Sequence, residues 1–252
     1  MEHVVQPRLE ARDVSMRFGG VVALERASLS ARAGEVTCLL GDNGAGKSTL
    51  IRVLAGVHPP TGGVCLLDGE TVRFRSPREA LSRGIATVYQ DLAMVPLMSV
   101  WRNFFLGSEP TSGRGPFRRI DADRCRAETR AELAAMGIEL RDPEQPVGSL
   151  SGGERQAVAI ARALHFGARV LILDEPTAAL GLRQSERVLD HVRTAAARGV
   201  AVVFVTHTPH YAHPVGDRFV VLRRGRVVAD ELRGALPVEQ LAALMAGGAT
   251  PD

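Results

Sequence analysis

The chain has 252 residues, with 31 Lys and Arg against 28 Asp and Glu for a net charge of +3, and it is 45% hydrophobic and 23% charged. That composition supports a globular chain with a sizeable core and excludes disorder, collagen and a long coiled coil. So small a charge excess gives no reason to expect nucleic acid as a partner, and apolar runs such as Val200–Val205 fall far short of the ~20 residues of a membrane helix.

Met1-Glu2-His3 lacks the basic start and apolar run of a secretory leader, so a cytosolic location is expected. From Leu9 to Val36, short apolar runs broken by Gly19-Gly20 and Gly34 read as antiparallel strands. Val36–Leu40 is continuously apolar, as in a strand buried on both faces. A helix is expected from Lys47 to Ala55, with Gly56 closing it. Cys65–Gly69 suggests a hairpin, and Ser76-Pro77 an N-cap followed by a first-turn proline for a helix to Arg83. Ile85–Tyr89 returns as a strand. Residues 91–149 change pattern, with helical spacing over Asp121–Met136, and read as an inserted helical subdomain between core segments 1–90 and 150–252. Strands at Val170–Leu173 and Val200–Thr206 then alternate with helices at Gly152–Leu164 and Gln184–Ala197. The expected fold is α/β, a mostly parallel sheet covered by helices, with an N-terminal antiparallel part. Phe219–Val228, turning at Arg224-Gly225, suits a hairpin, and Val238–Met245 a short closing helix.

Cys38, Cys65 and Cys125 form no C-x-x-C pair, so neither a disulfide framework nor a zinc ribbon is expected. Lys47 is the one lysine, and the other 30 basic residues (31 minus 1) are arginine. A compact ammonium fits where a planar guanidinium does not, so that position points to chemistry.

Lys47 lies in Gly41-Asp42-Asn43-Gly44-Ala45-Gly46-Lys47-Ser48, which fits G-x-x-x-x-G-K-[ST] between a buried strand and a helix. Glycines let such a loop curl so that successive N–H groups face phosphate oxygens, and the helix start adds partial positive charge. Gly41 through Thr49 are therefore the expected nucleotide-binding residues, with Lys47 on the β- and γ-phosphates and Ser48 on Mg²⁺. Leu171-Ile172-Leu173-Asp174-Glu175-Pro176 ends a buried strand in two carboxylates that should face different ways. Asp174 is assigned to the metal and Glu175 to polarising the attacking water.

Leu150-Ser151-Gly152-Gly153-Glu154-Arg155-Gln156 resembles the signature, normally LSGGQ, of the ATP-binding-cassette ATPases. Ser151, Gly152 and Gly153 also open a helix, where hydroxyl and N–H groups can face an anion. The resemblance spans nearly the whole chain and implies that family's P-loop fold. It implies further that Phe18 stacks on adenine, Gln90 senses Mg²⁺ and water, Thr177-Ala178-Ala179-Leu180 crosses to a partner subunit, and His207 contacts the γ-phosphate. Two positions depart from the usual pattern: Glu154 replaces Gln, and Gly181 replaces an Asp of the crossing loop. Pro-Thr-Ala-Ala-Leu-Gly at 176–181, Pro96–Val100, Arg102–Gly107 and Val215–Phe219 resemble the simple-sugar importer branch.

From this resemblance, ATP and Mg²⁺ are the expected cofactors. Two cassettes pair head to tail with ATP between the phosphate loop of one and the signature of the other. By the same resemblance, ATP cleavage is expected to separate them and to drive sugar uptake through a separate integral membrane permease, with the cassettes cytoplasmic and peripheral on the inner face of the membrane and an extracytoplasmic binding protein as an indirect partner. Val95, Leu97, Met98, Val100 and Trp101 are candidates both for a permease-docking groove and for plain subdomain core. The alternatives are a cassette ATPase of DNA repair or translation, and a P-loop kinase, which leaves Leu150–Gln156 unexplained. His207, His210 and His213 are not expected to bind metal, since Pro209 and Pro214 break their segment.

Overall fold

The computed structural model describes residues 6–113 and 115–247, so Met1–His3 lie outside the described residues. Along the chain run β1 (Leu9–Phe18), β2 (Val21–Ala31), β3 (Val36–Leu40), α1 (Lys47–Leu54), β4 (Gly62–Leu67), β5 (Glu70–Val72), α2 (Pro77–Ser82) and β6 (Ile85–Val88). Then follow α3 (Val100–Phe105), β7 (Thr111–Ser112), β8 (Arg119–Ile120), α4 (Ala122–Ala135), α5 (Gly152–His165), β9 (Val170–Asp174) and α6 (Leu182–Ala197). The last elements are β10 (Ala201–Thr206), α7 (Pro209–Ala212), β11 (Arg218–Arg223), β12 (Arg226–Leu232) and α8 (Val238–Ala246).

The main sheet has the order β12-β11-β3-β10-β9-β6, parallel except for the antiparallel edge strand β12. A second, antiparallel sheet has the order β2-β1-β4-β5. β3 and β10 are buried along their whole length, and β9 as far as Leu173, because both faces are covered. Alternate residues feed two separate cores. Cys38, Leu171, Leu173, Phe204 and Phe219 join one cluster, with α3, α4, α5 and α6. Leu39, Ile172, Val203, Val205 and Leu222 join the other, with α1 and the antiparallel sheet.

Segment 91–149 contains α3, α4 and a short β7–β8 ribbon that helical spacing does not announce. Trp101, Phe104, Phe105 and Leu133 pack into the same cluster as the main sheet, and α3 and α4 both rest on α5. Val100 and Trp101 are therefore core residues and not groove-lining ones, whereas Val95 is half exposed and Leu97 is 91% exposed. Pro209 does not end the ordered segment: it takes the first position of the one-turn helix α7, where its missing N–H costs nothing. No helix among the described residues is long and apolar enough to cross a membrane.

The turn between β11 and β12 ties the two sheets together. Arg223 pairs with Arg226, so Arg224 and Gly225 form a two-residue loop, both with positive φ (49° and 79°). This is the type I′ geometry, which suits the twist of the flanking strands. The Gly225 amide donates to the Ala45 carbonyl (2.8 Å), and the Glu25 amide donates to the Gly225 carbonyl (2.8 Å). A Cβ on Gly225 would lie 2.8 Å from the Ala23 carbonyl oxygen, whereas one on Gly19 (φ 57°) would meet nothing within 4 Å. Gly19→Ala should thus lose only the ~1 kcal/mol of left-handed strain. Gly225→Ala should lose at least about 1 kcal/mol more by denaturant unfolding. Equal losses would show that the turn is not clamped.

Candidate nucleotide-binding site

The cleft forms where β3, β9 and β10 end side by side at the start of α1. Gly41, Gly44 and Gly46 all have positive φ (155°, 81° and 108°), which lets the loop curl over the sheet end. At Gly46 the requirement is also steric, since a Cβ would lie 2.9 Å from the Ala23 carbonyl. Gly46 precedes α1 without a side-chain cap, and the first turn of α1 carries no acidic residue. The opening N–H groups of α1 thus have neither a preceding helical turn nor a side-chain acceptor.

Lys47 is buried, and its Nζ donates to the carbonyls of Gly41 (2.6 Å) and Asp42 (3.2 Å). Its remaining approach is to Glu175 Oε1 at 3.7 Å. Glu175 follows β9 in a left-handed conformation (φ 50°), with its amide bonded to the Val205 carbonyl. That departure from strand geometry turns its carboxylate away from the course of Asp174. His207 Nδ1 lies 2.9 Å from the same Glu175 oxygen. A carboxylate only accepts, so the proton of this bond resides on Nδ1. His207 is in turn set by the sharp end of β10, where the Thr208 amide donates to Thr206 Oγ1 (3.1 Å).

Asp174 sits half-buried at the strand end. Burial holds its carboxyl above the usual range, the neighbouring Glu175 pushes it further, and Lys47 and Arg52 oppose the shift. Its ionised form is therefore disfavoured in the folded protein. A cleft of about 520 Å³ brings together Asp42, Asn43, Gly44, Gly46, Lys47, Ser48, Thr49, Gln90, Asp174 and Glu175. Lys47, the Ser48 and Thr49 hydroxyls and the start of α1 face this space, which fits a chain of phosphate oxygens. The exposed Ser48 hydroxyl and the destabilised Asp174 carboxylate fit a divalent cation beside them.

Gly41 and Ala45 are buried behind this wall, at the base of the loop. Phe18 does not line the cleft, though its strand partner Val21 does; its ring meets His58 edge-on at 5.5 Å. The signature residues lie apart from it. Ser151 and Gly153 open onto a separate cavity with Glu154, Gln184, Arg187 and His191. Ser151 caps α5 in a reciprocal box: its Oγ accepts from the Glu154 amide (3.3 Å), and Glu154 Oε2 accepts from the Ser151 amide (2.7 Å). The bonds from Ser151 hold the Glu154 carboxyl below its usual range. Glu serves this box as well as Gln does, which accounts for the departure from the usual signature. Gly152 packs on Leu180, which brings the signature beside the segment Thr177–Leu180.

Val21, Val22, Ala23, Arg224 and Gly225 also line the cleft and were not foreseen. Their positions, far before and far after the loop in sequence, are set by the clamp between the β11–β12 turn and the loop. The run Arg223-Arg224-Gly225-Arg226 was the one visible signal.

One consequence for stability follows from the sign of the Asp174 shift. A carboxyl raised in the folded state costs stability once ionised, and the cost disappears as pH falls towards its unfolded value near ~4. In magnesium-free buffer, Asp174→Asn should unfold at a higher temperature than the wild type at pH 7, with the gap closing as the pH is lowered. A lower melting temperature at pH 7 would contradict this reading.

The family model described as ABC transporter matches residues 24–178. The xylose/arabinose import ATP-binding protein XylG of Sulfolobus acidocaldarius is 40% identical over 237 residues, covering 94% of this chain and 93% of that protein. The fructose import ATP-binding protein FrcA of Rhizobium meliloti is 42% identical, with coverage of 88% and 86%. Among solved structures, a dimeric bacterial ABC transporter cassette superposes with a TM-score of 0.74 at 26% identity, covering 90% of this chain and 100% of that one. Taken with the glycine loop, the strand-end carboxylates and the capped signature helix, these matches show that the chain belongs to the ATP-binding cassette ATPases of ABC transporters.

Proposed function

We propose that this chain is the ATP-hydrolysing subunit of an importer of small sugars, acting as a pair of cassettes beneath a membrane permease. ATP hydrolysis belongs to the family, and the sugar assignment is supported by full-length relatives named for xylose, arabinose and fructose import. The repair, translation and kinase alternatives find no such relative among these. The carrying observation is the buried Lys47 ammonium at the mouth of the glycine loop, flanked by Asp174, Glu175 and His207.

In this reading the loop N–H groups and Lys47 hold the β- and γ-phosphates, with Ser48, Gln90 and Asp174 grouped for magnesium. Magnesium supplied with the nucleotide neutralises phosphate charge. Glu175, held by His207, takes the proton of the attacking water. Phe18 faces the adenine from the β1–β2 hairpin. Ser151, Gly152 and Gly153 do not reach the cleft of their own chain, so a second copy supplies them, and a twofold dimer is the symmetric arrangement. The dimeric cassette neighbour supports this pairing.

The same reading places the chain on the inner face of the membrane and gives the binding protein an indirect role. Residues 91–149 are the part that communicates with the permease. A groove of about 560 Å³ lined by Leu81, Leu92, Met94, Ala163 and Phe166 lies between α2, β6 and α5, with Leu81 half exposed. It suits an apolar segment of the permease.

Glu175→Gln should lower phosphate release by at least ~100-fold while keeping ATP binding, and should accumulate as an ATP-bound dimer in size-exclusion chromatography. A variant that stays monomeric at saturating Mg-ATP would count against the shared-nucleotide arrangement. Leu81→Asp should weaken co-purification with the permease in detergent, while ATP binding by the isolated chain persists. Undiminished co-purification would remove the groove from the interface.

A further inference from the structure

We propose that Arg224 is a nucleotide-binding residue that engages the ribose and α-phosphate end of the bound nucleotide. The inference rests on the cleft being the nucleotide site and names a ligand contact beyond the glycine loop.

The cleft has two opposed walls. Asp174, Glu175 and Gln90 form one, and Lys47 leans towards it through Glu175. Val21, Val22, Ala23, Arg224 and Gly225 form the other. A nucleotide whose terminal phosphates lie between Lys47 and Asp174 must lay its α-phosphate and sugar against the second wall. Arg224 is the cation on that wall.

Three features combine at Arg224: among the described residues Arg223 beside it also has no carboxylate partner and Arg26 has the same φ of 49°, but neither lines the cleft. The position of Arg224 is fixed, because the adjoining Gly225 is bonded through its amide to Ala45 of the loop and through its carbonyl to Glu25 of β2. Its guanidinium is exposed and has no carboxylate partner among the described residues, whereas Arg226 pairs with Glu25 (2.7 Å) and Arg218 with Asp230 (2.6 Å). Its residue type is also wrong for its backbone. At φ 49° in a type I′ turn, Asn or Asp is the local choice, and a long cationic side chain gains nothing from that conformation. An arginine held in a conformation that disfavours it, unpaired, on the wall of a phosphate-binding cleft, is placed to meet an anion. A planar guanidinium offers paired donors to phosphate oxygens and to a sugar hydroxyl.

The test uses the full chain with ADP and with ATP as probes. Arg224→Asn is the informative variant, because Asn tolerates the left-handed turn while losing the cation. Its unfolding midpoint should equal or exceed that of the wild type, while the Kd for ADP and the KM for ATP both rise about tenfold, the loss of one charge-assisted hydrogen bond. Arg224→Lys should recover part of that affinity, and Arg226→Ala, which breaks the pair to Glu25, should leave it within twofold. ADP affinity of Arg224→Asn within twofold of wild type would overturn the inference, as would a loss for ATP without one for ADP, since that would place the contact at the γ-phosphate. A wild-type chain that binds neither nucleotide would overturn the reading of the cleft itself, and the inference with it.

Discussion

The structure depends on burying one ammonium group at the point where three strands end. Lys47 reaches the cleft along the base of its own loop, and two backbone carbonyls and one carboxylate surround it. A buried charge is tolerable only when its donors are matched, so the loop must turn the Gly41 and Asp42 carbonyls towards it. That turning of the backbone is what the glycines permit. The left-handed turn of Glu175 belongs to the same arrangement, because it delivers a carboxylate to both Lys47 and His207. Loop, strand end and histidine are thus one electrostatic unit assembled from residues over 150 positions apart (Lys47 to His207, 160).

Much of this unit was legible in the sequence because its parts are local. A buried strand followed by a glycine loop and a helix announces itself through β-branched and apolar runs, a G-K-S step and helical spacing. The same holds for Asp174-Glu175 at the end of Val170–Leu173, and for the Ser76-Pro77 start of α2, where Ser76 Oγ accepts from the Glu79 amide. What was illegible depends on tertiary placement. Whether Trp101 lines a groove or fills a core is decided by α4 and α5 packing over it, and no pattern within residues 95–101 carries that information. The β7–β8 ribbon is only two residues on each side, too short for alternation to show. Arg224 reads as a surface turn residue until the clamp to Ala45 brings it to the cleft.

Helices α3 and α4 and the main sheet share one hydrophobic cluster rather than owning separate ones. Phe104 and Phe105 pack around His165 at the end of α5, whose imidazole meets Glu128 and Glu132 of α4. α5 begins at the signature and ends in this aromatic group, so it links the surface that carries Ser151 to α3 and α4. At 14 residues α5 spans about 21 Å between these two ends.

The division of each central strand between two hydrophobic layers has a further consequence for how the sequence can vary. Removing or adding one residue within β3, β9 or β10 would exchange the layers served by every side chain beyond that point, and both cores would fail together. Length changes are therefore barred from about sixteen positions (5 in β3, 5 in β9 and 6 in β10) that also aim the Lys47 loop, Glu175 and His207. Drift in chain length is diverted to surface segments such as residues 107–113 and 117–120, where an extra residue displaces no packed side chain of the sheet.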